Sequence, residues 1–164
     1  MILLTVGTQL PFDRLVAIVD GLAATLAEPV FAQVGRGGYH PKNMEWRSYV
    51  DPVEFESYIA RCTLLISHAG IGTLVMAQKH GKPMILFPRR AILDEHRNDH
   101  QLATVRALNG RSGVRIAYDE DDLIRLLATP HTAPKPNDVL PDRVRLCGVL
   151  GELVRSEQCR LARR

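Results

Sequence analysis

The chain has 164 residues, 46% of them hydrophobic and 24% charged, and a net charge of +3. These values suit one globular domain with a core of ordinary size and exclude a disordered chain. Lys and Arg are dispersed outside the C-terminal segment, which argues against duplex nucleic acid as a partner, and no apolar run approaches the roughly 20 residues that span a bilayer.

Ile2 to Val6 reads as a strand, and Leu15, Val16, Val19, Leu22, Ala23 and Leu26 keep helical spacing after it. Between them lies Gly7-Thr8-Gln9, just past a strand end, where open α/β sheets bind ligands. A Thr hydroxyl and a Gln amide offer hydrogen bonds to oxygen-rich groups there; the same residues serve equally well as a capped turn. Val30 to Val34 is the second strand, and the glycine-rich 35–41 segment reads as a connection rather than a lid. Trp46 to Val50 is a third, short strand, and Pro52 to Arg61 a helix turning Phe55, Tyr58 and Ile59 to the core.

Leu64-Leu65-Ile66 reads as a buried strand that breaks at Ser67-His68, passes Ala69, Gly70 and Gly72, and enters a helix-prone run from Leu74 to Lys79. Glycines at this junction let the backbone approach a ligand, and the free amides of a helix's first turn attract phosphate. A Gly-x-Gly turn by itself is as often only a turn. Gly81-Lys82-Pro83 stops the helix before the strand Met84 to Pro88. The most polar segment, Arg89 to Gln101, follows and should face the Ser67 to Thr73 turn across one crevice. Glu95, Asn98, Asp99, His100 and Gln101 suit sugar hydroxyls, and Arg89 or Arg90 suits a phosphate. The plainer account has Asn98 or Asp99 capping a helix and the charges forming a solvated face. His96 and His100 stand at i and i+4 without the Glu of a metalloprotease helix between them, so no metal is expected.

Gly113 to Tyr118 is a last strand and Asp121 to Leu127 a helix. The organisation read from this is a nucleotide-binding domain over 1–128, a Pro-rich linker over 129–141, and an Arg-rich amphipathic helix over 142–164. That helix either packs on its own sheet or docks a partner. The alternation implies an α/β fold, a Rossmann-like parallel sheet with helices on both faces. Cys62, Cys147 and Cys159 are an odd number without metal-type spacing, which fits a reducing cytosol.

Four motifs occur together and in order: the 6–15 segment Val-Gly-Thr-Gln-Leu-Pro-Phe-Asp-Arg-Leu, the 66–73 turn, the 81–83 stop and the 95–101 cluster. In these the chain resembles the C-terminal-domain family of glycosyltransferase family 28. The branch it looks most like is that of small separate subunits in bacterial exopolysaccharide and capsule synthesis, the PssE and EpsE type. It is also similar to the cytosolic subunit of the two-part eukaryotic UDP-GlcNAc transferase and, more distantly, to MurG. The resemblance implies the donor-binding half of a GT-B enzyme. Gly7, Thr8, the turn of His68, Ala69, Gly70, Gly72 and Thr73, and Arg89 would then lie near the nucleotide, and Asp99 and Gln101 near the donor sugar; the residue reading adds Gln9 to the first group and Glu95, Asn98 and His100 to the second. The sequence departs from MurG-like members at Met76, where an acidic residue would hold the ribose.

Glycosyl transfer needs a stabilised diphosphate leaving group, a held sugar and a base for the acceptor hydroxyl. Asp13, His68, Glu95 and His96 all remain open as the base, and the resemblance implies that the acceptor site, and usually the base, belong to the other half. The expectation is thus an inverting, metal-independent and cofactor-free transferase subunit. It would move a hexosyl or hexuronosyl group from a UDP-sugar to a lipid-linked acceptor, on the cytoplasmic face of a membrane, with a membrane-anchored acceptor-binding subunit. The alternatives are an NADP-binding oxidoreductase, suggested by Gly70-x-Gly72-x-x-Val75 and Arg89-Arg90, and a stabilising subunit without catalysis.

Overall fold

A computed structural model describes residues 1–135. The expected 142–164 helix, the last part of the 129–141 linker, Cys147 and Cys159 lie outside the described residues. Six strands form the sheet: β1 (Ile2–Thr5), β2 (Val30–Gln33), β3 (Glu45–Arg47), β4 (Leu64–His68), β5 (Met84–Phe87) and β6 (Val114–Ile116). They are hydrogen-bonded in the order β3-β2-β1-β4-β5-β6, every pair parallel. The helices are α1 (Asp13–Ala23), α2 (Pro52–Arg61), α3 (Ile71–Lys79), α4 (His100–Leu108) and α5 (Glu120–Leu127), with a 3-10 turn over Ala91–Leu93.

Parallel strands covered on both faces must be apolar on both, and the inner strands β1, β4 and β5 obey this. Their alternate residues divide between two cores. Ile2, Leu4, Leu64, Ile66, Ile85 and Phe87 pack with Leu15, Val16 and Val19 of α1 and with Leu123 and Leu126 of α5. Leu3, Leu65, Met84 and Leu86 pack on the other face with Ile59 of α2, Leu74 and Ala77 of α3, and Val105 and Leu108 of α4. The Rossmann-like reading of the sequence therefore stands.

Of the boundaries that differ from the sequence reading, three bear on the sheet edge and the site. Strand β3 is shorter and earlier than 46–50, since it pairs with β2 alone and leaves Glu45 and Arg47 exposed at the sheet edge. Strand β4 runs on through Ser67, which pairs with Thr5 of β1 and Leu86 of β5, and His68, which pairs with Phe87 of β5, because ladder partners hold polar residues that no apolar pattern marks as strand. Helix α3 begins at Ile71, so Gly72 and Thr73 belong to its first turn and the connection shrinks to Ala69 and Gly70.

The glycine-rich segment is a tethered connection, as its sequence suggests. The Gly38 amide donates to Asp13 (3.0 Å), and the buried Asp20 carboxylate accepts from Tyr39 Oη (2.8 Å) and from the amides of Lys42 (3.0 Å) and Asn43 (2.7 Å). Burial alone would raise the Asp20 pKa, but the hydrogen bonds from Lys42, Asn43 and Tyr39 overcome it and hold the carboxylate below its ordinary range. The first residues of the expected linker lie against β6, where Pro134 covers Gly113 and the Lys135 amide donates to Ser112 Oγ at 3.0 Å.

Asp20→Ala strands these donors and is expected to lower stability by about 3 kcal/mol in urea unfolding at pH 7. Because the folded carboxylate is the more acidic, its contribution is complete above the unfolded value near ~3.9 and fades as pH falls through the folded one. The difference between wild type and variant should therefore shrink in acid.

Candidate functional site

Strand order reverses between β1 and β4, and in such sheets ligands bind outside the carboxyl ends of the strands at that switch point. A cavity of about 280 Å³ opens there. Its walls are Val6, Gly7, Thr8, Gln9 and Leu10 after β1, His68, Gly70, Gly72 and Thr73 at the β4–α3 junction, and Arg89, His96 and Gln101 after β5. Most of the expected nucleotide-site residues thus meet in one place. No carboxylate lines it.

Helix α3 supplies the anion-binding feature. The Gly70 amide turns back to His68 O (2.8 Å) and Leu74 N makes the first helical bond, to Gly70 O (3.3 Å). The amides of Ile71, Gly72 and Thr73 have no acceptor among the described residues, and the first turn carries no acidic side chain. Unpaired amides at the positive end of the helix dipole favour a phosphate.

His68 explains two of the glycines. A Cβ on Gly7 would come within 2.8 Å of His68 Cε1, and one on Gly70 within 2.4 Å of His68 Nε2. The imidazole thus fills the space that side chains at those positions would need. Gly7 also takes φ +77, a conformation that other residues rarely adopt. Gly72 differs, since a Cβ there meets nothing within 4 Å. A side chain there would enter open space at the cavity wall. Burial, with the nearby charges of Arg89 and His96, pulls the His68 pKa down to about 4 against a hydrogen bond to the Thr5 backbone, so the ring is neutral at pH 7.

Arg89 was expected near a phosphate, and it does line the cavity, but its guanidinium is spent on the backbone. It is 2% exposed and donates to Val6 O (2.9 Å), Leu10 O (2.8 Å), Glu95 O (3.4 Å) and Pro11 O, with the Phe12 ring 4.4 Å away. Burial pushes its pKa down to about 10, opposed by Glu95, which leaves it a cation at neutral pH. It acts as a clamp carrying a fixed charge.

The 89–101 segment mixes frame and site. Glu95, expected at the sugar and open as the base, braces the loop: its carboxylate pairs with Arg14 (2.6 and 2.8 Å) and accepts the Arg90 amide (2.9 Å). Arg90 turns to Tyr118 O (2.7 Å), outside the cavity wall. Asn98 Oδ1 accepts His100 N (3.1 Å) at the start of α4, which fits the plainer account, whereas Asp99 makes no side-chain cap bond to that helix and instead accepts Ala91 N (2.9 Å) across the loop. Neither they nor the exposed His100 lines the cavity. Gln101 is buried and its Oε1 joins two strand ends, accepting from Ala69 N (3.3 Å) and Arg89 N (3.0 Å), while its NH2 group makes no bond among the described residues. Ala69 accordingly sits behind the wall. Asp13 is held by Gly38, and Met76 packs partly buried against the second core.

Arg14 is the residue the sequence reading missed. Besides bracing Glu95, it lies 4.6 Å over the Phe87 ring, a contact between distant segments that no local pattern signals. Among the described residues no group of three or more His, Cys, Asp or Glu side chains is placed to hold a metal ion, and no helix is long and apolar enough to cross a membrane.

The family model of the glycosyltransferase family 28 C-terminal domain matches residues 1–132. Comparison with curated proteins gave no match. Among solved structures, the fold resembles the glycotransferase of kitacinnamycin (19% identity, TM-score 0.58, 79% of this chain and 35% of that one). It also resembles the spinosyn forosaminyltransferase SpnP (21%, 0.51, 88% and 43%) and the glycosyltransferase VinC in complex with DTDP (20%, 0.50, 94% and 40%). The chain therefore spans between 35% and 43% of the length of these proteins.

Gly70→Ala drives a methyl into the His68 ring and is expected to cost about 2 kcal/mol in denaturant unfolding, whereas Gly72→Val should leave stability within about 1 kcal/mol. Equal losses would refute this division of roles. His68 also predicts a pH dependence: the unfolded imidazole takes a proton near ~6.5 and the folded one near 4, so its contribution is complete above ~6.5 and falls by on the order of 3 kcal/mol by pH 4. Stability measured across this range should fall less steeply in His68→Gln.

Proposed function

The chain belongs to the glycosyltransferase family 28 C-terminal domain family, and from that premise we propose that it binds a UDP-sugar and forms the donor half of an inverting glycosyltransferase. The observation that carries this reading is the carboxylate-free cavity at the switch point, with the unpaired amides of Ile71, Gly72 and Thr73 on one wall and the buried charge of Arg89 behind another. These fixed dipoles and charge oppose the negative charge that builds on a departing diphosphate, which is how the site would promote cleavage of the sugar–phosphate bond without a metal. That a similar fold, VinC, was solved in complex with DTDP supports a nucleotide as ligand. The NH2 group of Gln101 and the side chains of Thr8, Gln9 and Thr73 are the polar groups left for the sugar and ribose.

The finer reading is that the donor is a hexosyl or hexuronosyl nucleotide and the acceptor a lipid-linked saccharide in exopolysaccharide or capsule synthesis. The acceptor site then belongs to a membrane-bound subunit of the small-subunit type of enzyme, with residues 139–164 contributing to docking.

Calorimetric titration with UDP, UDP-glucose, UDP-glucuronate, UDP-GlcNAc and NADPH tests the proposal. UDP species should bind and NADPH should not, with Gly72→Val weakening UDP at least about 100-fold while the protein stays folded. Gln101→Glu keeps the acceptor for Ala69 and Arg89 but removes the NH2 group, so it should weaken the UDP-sugar and spare UDP. Binding of NADPH alone would replace the transferase reading with the oxidoreductase one.

A further inference from the structure

Resting on the donor-site reading, we propose that Arg14 is a positioning residue for the donor sugar. Through its ion pair with Glu95 it holds the 90–99 loop at the crevice, and so governs affinity for the sugar part of the donor rather than for the nucleotide. The loop is bonded largely to itself. The Arg90 amide donates to Glu95 (2.9 Å), the Ala91 amide to Asp99 (2.9 Å) and the Glu95 amide to Arg90 O (3.3 Å). Its ends are fixed separately, since Gln101 Oε1 accepts the Arg89 amide (3.0 Å) and the Arg89 guanidinium reaches Glu95 O (3.4 Å). Beyond those ends, the hydrogen-bonded ties from the loop to the rest of the fold, among the described residues, run from Arg90 to Tyr118 O on one side and from Glu95 to Arg14 on the other. Apolar packing does not replace them at the tip, where Ile92 is 88% and Leu93 48% exposed.

Arg14 suits this task because it is itself held. It stands in the first turn of α1, its guanidinium lies 4.6 Å over the Phe87 ring, and Nη2 is 3.5 Å from Pro88 O, both at the end of β5. Its fork engages both Glu95 oxygens, at 2.6 and 2.8 Å, a geometry that fixes direction as well as distance. The loop in turn carries part of the crevice wall, His96 next to Glu95 and Gln101 just past its end. The wall that receives the diphosphate is built elsewhere, from the first amides of α3 and the β1–α1 loop clamped by Arg89. Breaking the pair therefore displaces the wall assigned to the sugar and leaves the phosphate wall in place.

The experiment is calorimetric titration of wild type, Arg14→Met, Glu95→Gln and the double variant with UDP and with whichever of UDP-glucose, UDP-glucuronate and UDP-GlcNAc wild type binds best. Glu95→Gln keeps an acceptor for the Arg90 amide. Each single variant is expected to weaken the UDP-sugar about tenfold and to leave UDP within about threefold. The two substitutions change the net charge in opposite directions, so a field effect on an anionic ligand would shift their Kd values in opposite directions, whereas a broken tie shifts both the same way. The double variant is expected to bind no more weakly than the worse single one, because both changes break one contact. Equal weakening of UDP and UDP-sugar, no weakening, opposite shifts or additive losses would each overturn the assignment and leave the donor site standing. Arg14→Lys keeps the charge without the fork; it should fall between wild type and Arg14→Met, and it carries the test if Arg14→Met does not fold. If no UDP species binds wild type, the donor-site reading itself has failed. Backbone nitrogen-15 relaxation then still decides the tie: residues 91–98 should gain mobility in both single variants while 71–79 stay rigid, and an unchanged loop refutes it.

Discussion

The crevice depends on one buried cation. Arg89 leaves the end of β5, passes beneath the β1–α1 loop and gives its N–H groups to the carbonyls of Val6, Leu10 and Pro11. A guanidinium at 2% exposure is tolerable only because those carbonyls replace its water. The exchange works in both directions, since the same bonds fix the loop that carries Gly7, Thr8 and Gln9 on the cavity wall. The Glu95 carboxylate lies outside that wall and is itself paired with Arg14, so no carboxylate lines the crevice beside the buried guanidinium.

Around this clamp the polar residues divide by what their hydrogen-bonding groups already touch. Gln101 uses its carbonyl oxygen to join β4 and β5 and keeps its amide nitrogen. His68 gives its volume to the wall and stays neutral, which keeps a second buried cation from forming beside Arg89. Glu95, Asn98 and Asp99 are consumed in shaping the loop that presents His96. What remains for a ligand is a small set of amides, hydroxyls and ring nitrogens, with no carboxylate among them. A site of that composition receives an anion more readily than a cation.

Much of the frame was legible along the chain. Apolar runs of four or five residues between helical repeats mark a parallel, helix-covered sheet because strands buried on both faces have no polar side to show. Gly70 and Gly72 flagged the β4–α3 junction because glycines between an apolar run and a helix-prone one mark a turn. The run from Glu95 to Gln101 stood out by polarity alone, and polarity does not tell a sugar ligand from a cap: both need the same oxygens and nitrogens.

The sequence by itself determined the order of elements, the two-sided core and the neighbourhood of the crevice, since periodicity and turn chemistry are local properties of the chain. Only the tertiary structure decided which side chains the crevice can use. Glu95 meets Arg14 and Arg89 meets Val6 across separations of 81 and 83 residues, and Gly7 is needed because of a histidine on another strand. Whether a polar group is free or spent is fixed by partners that folding brings from elsewhere in the chain, and no window of sequence contains them.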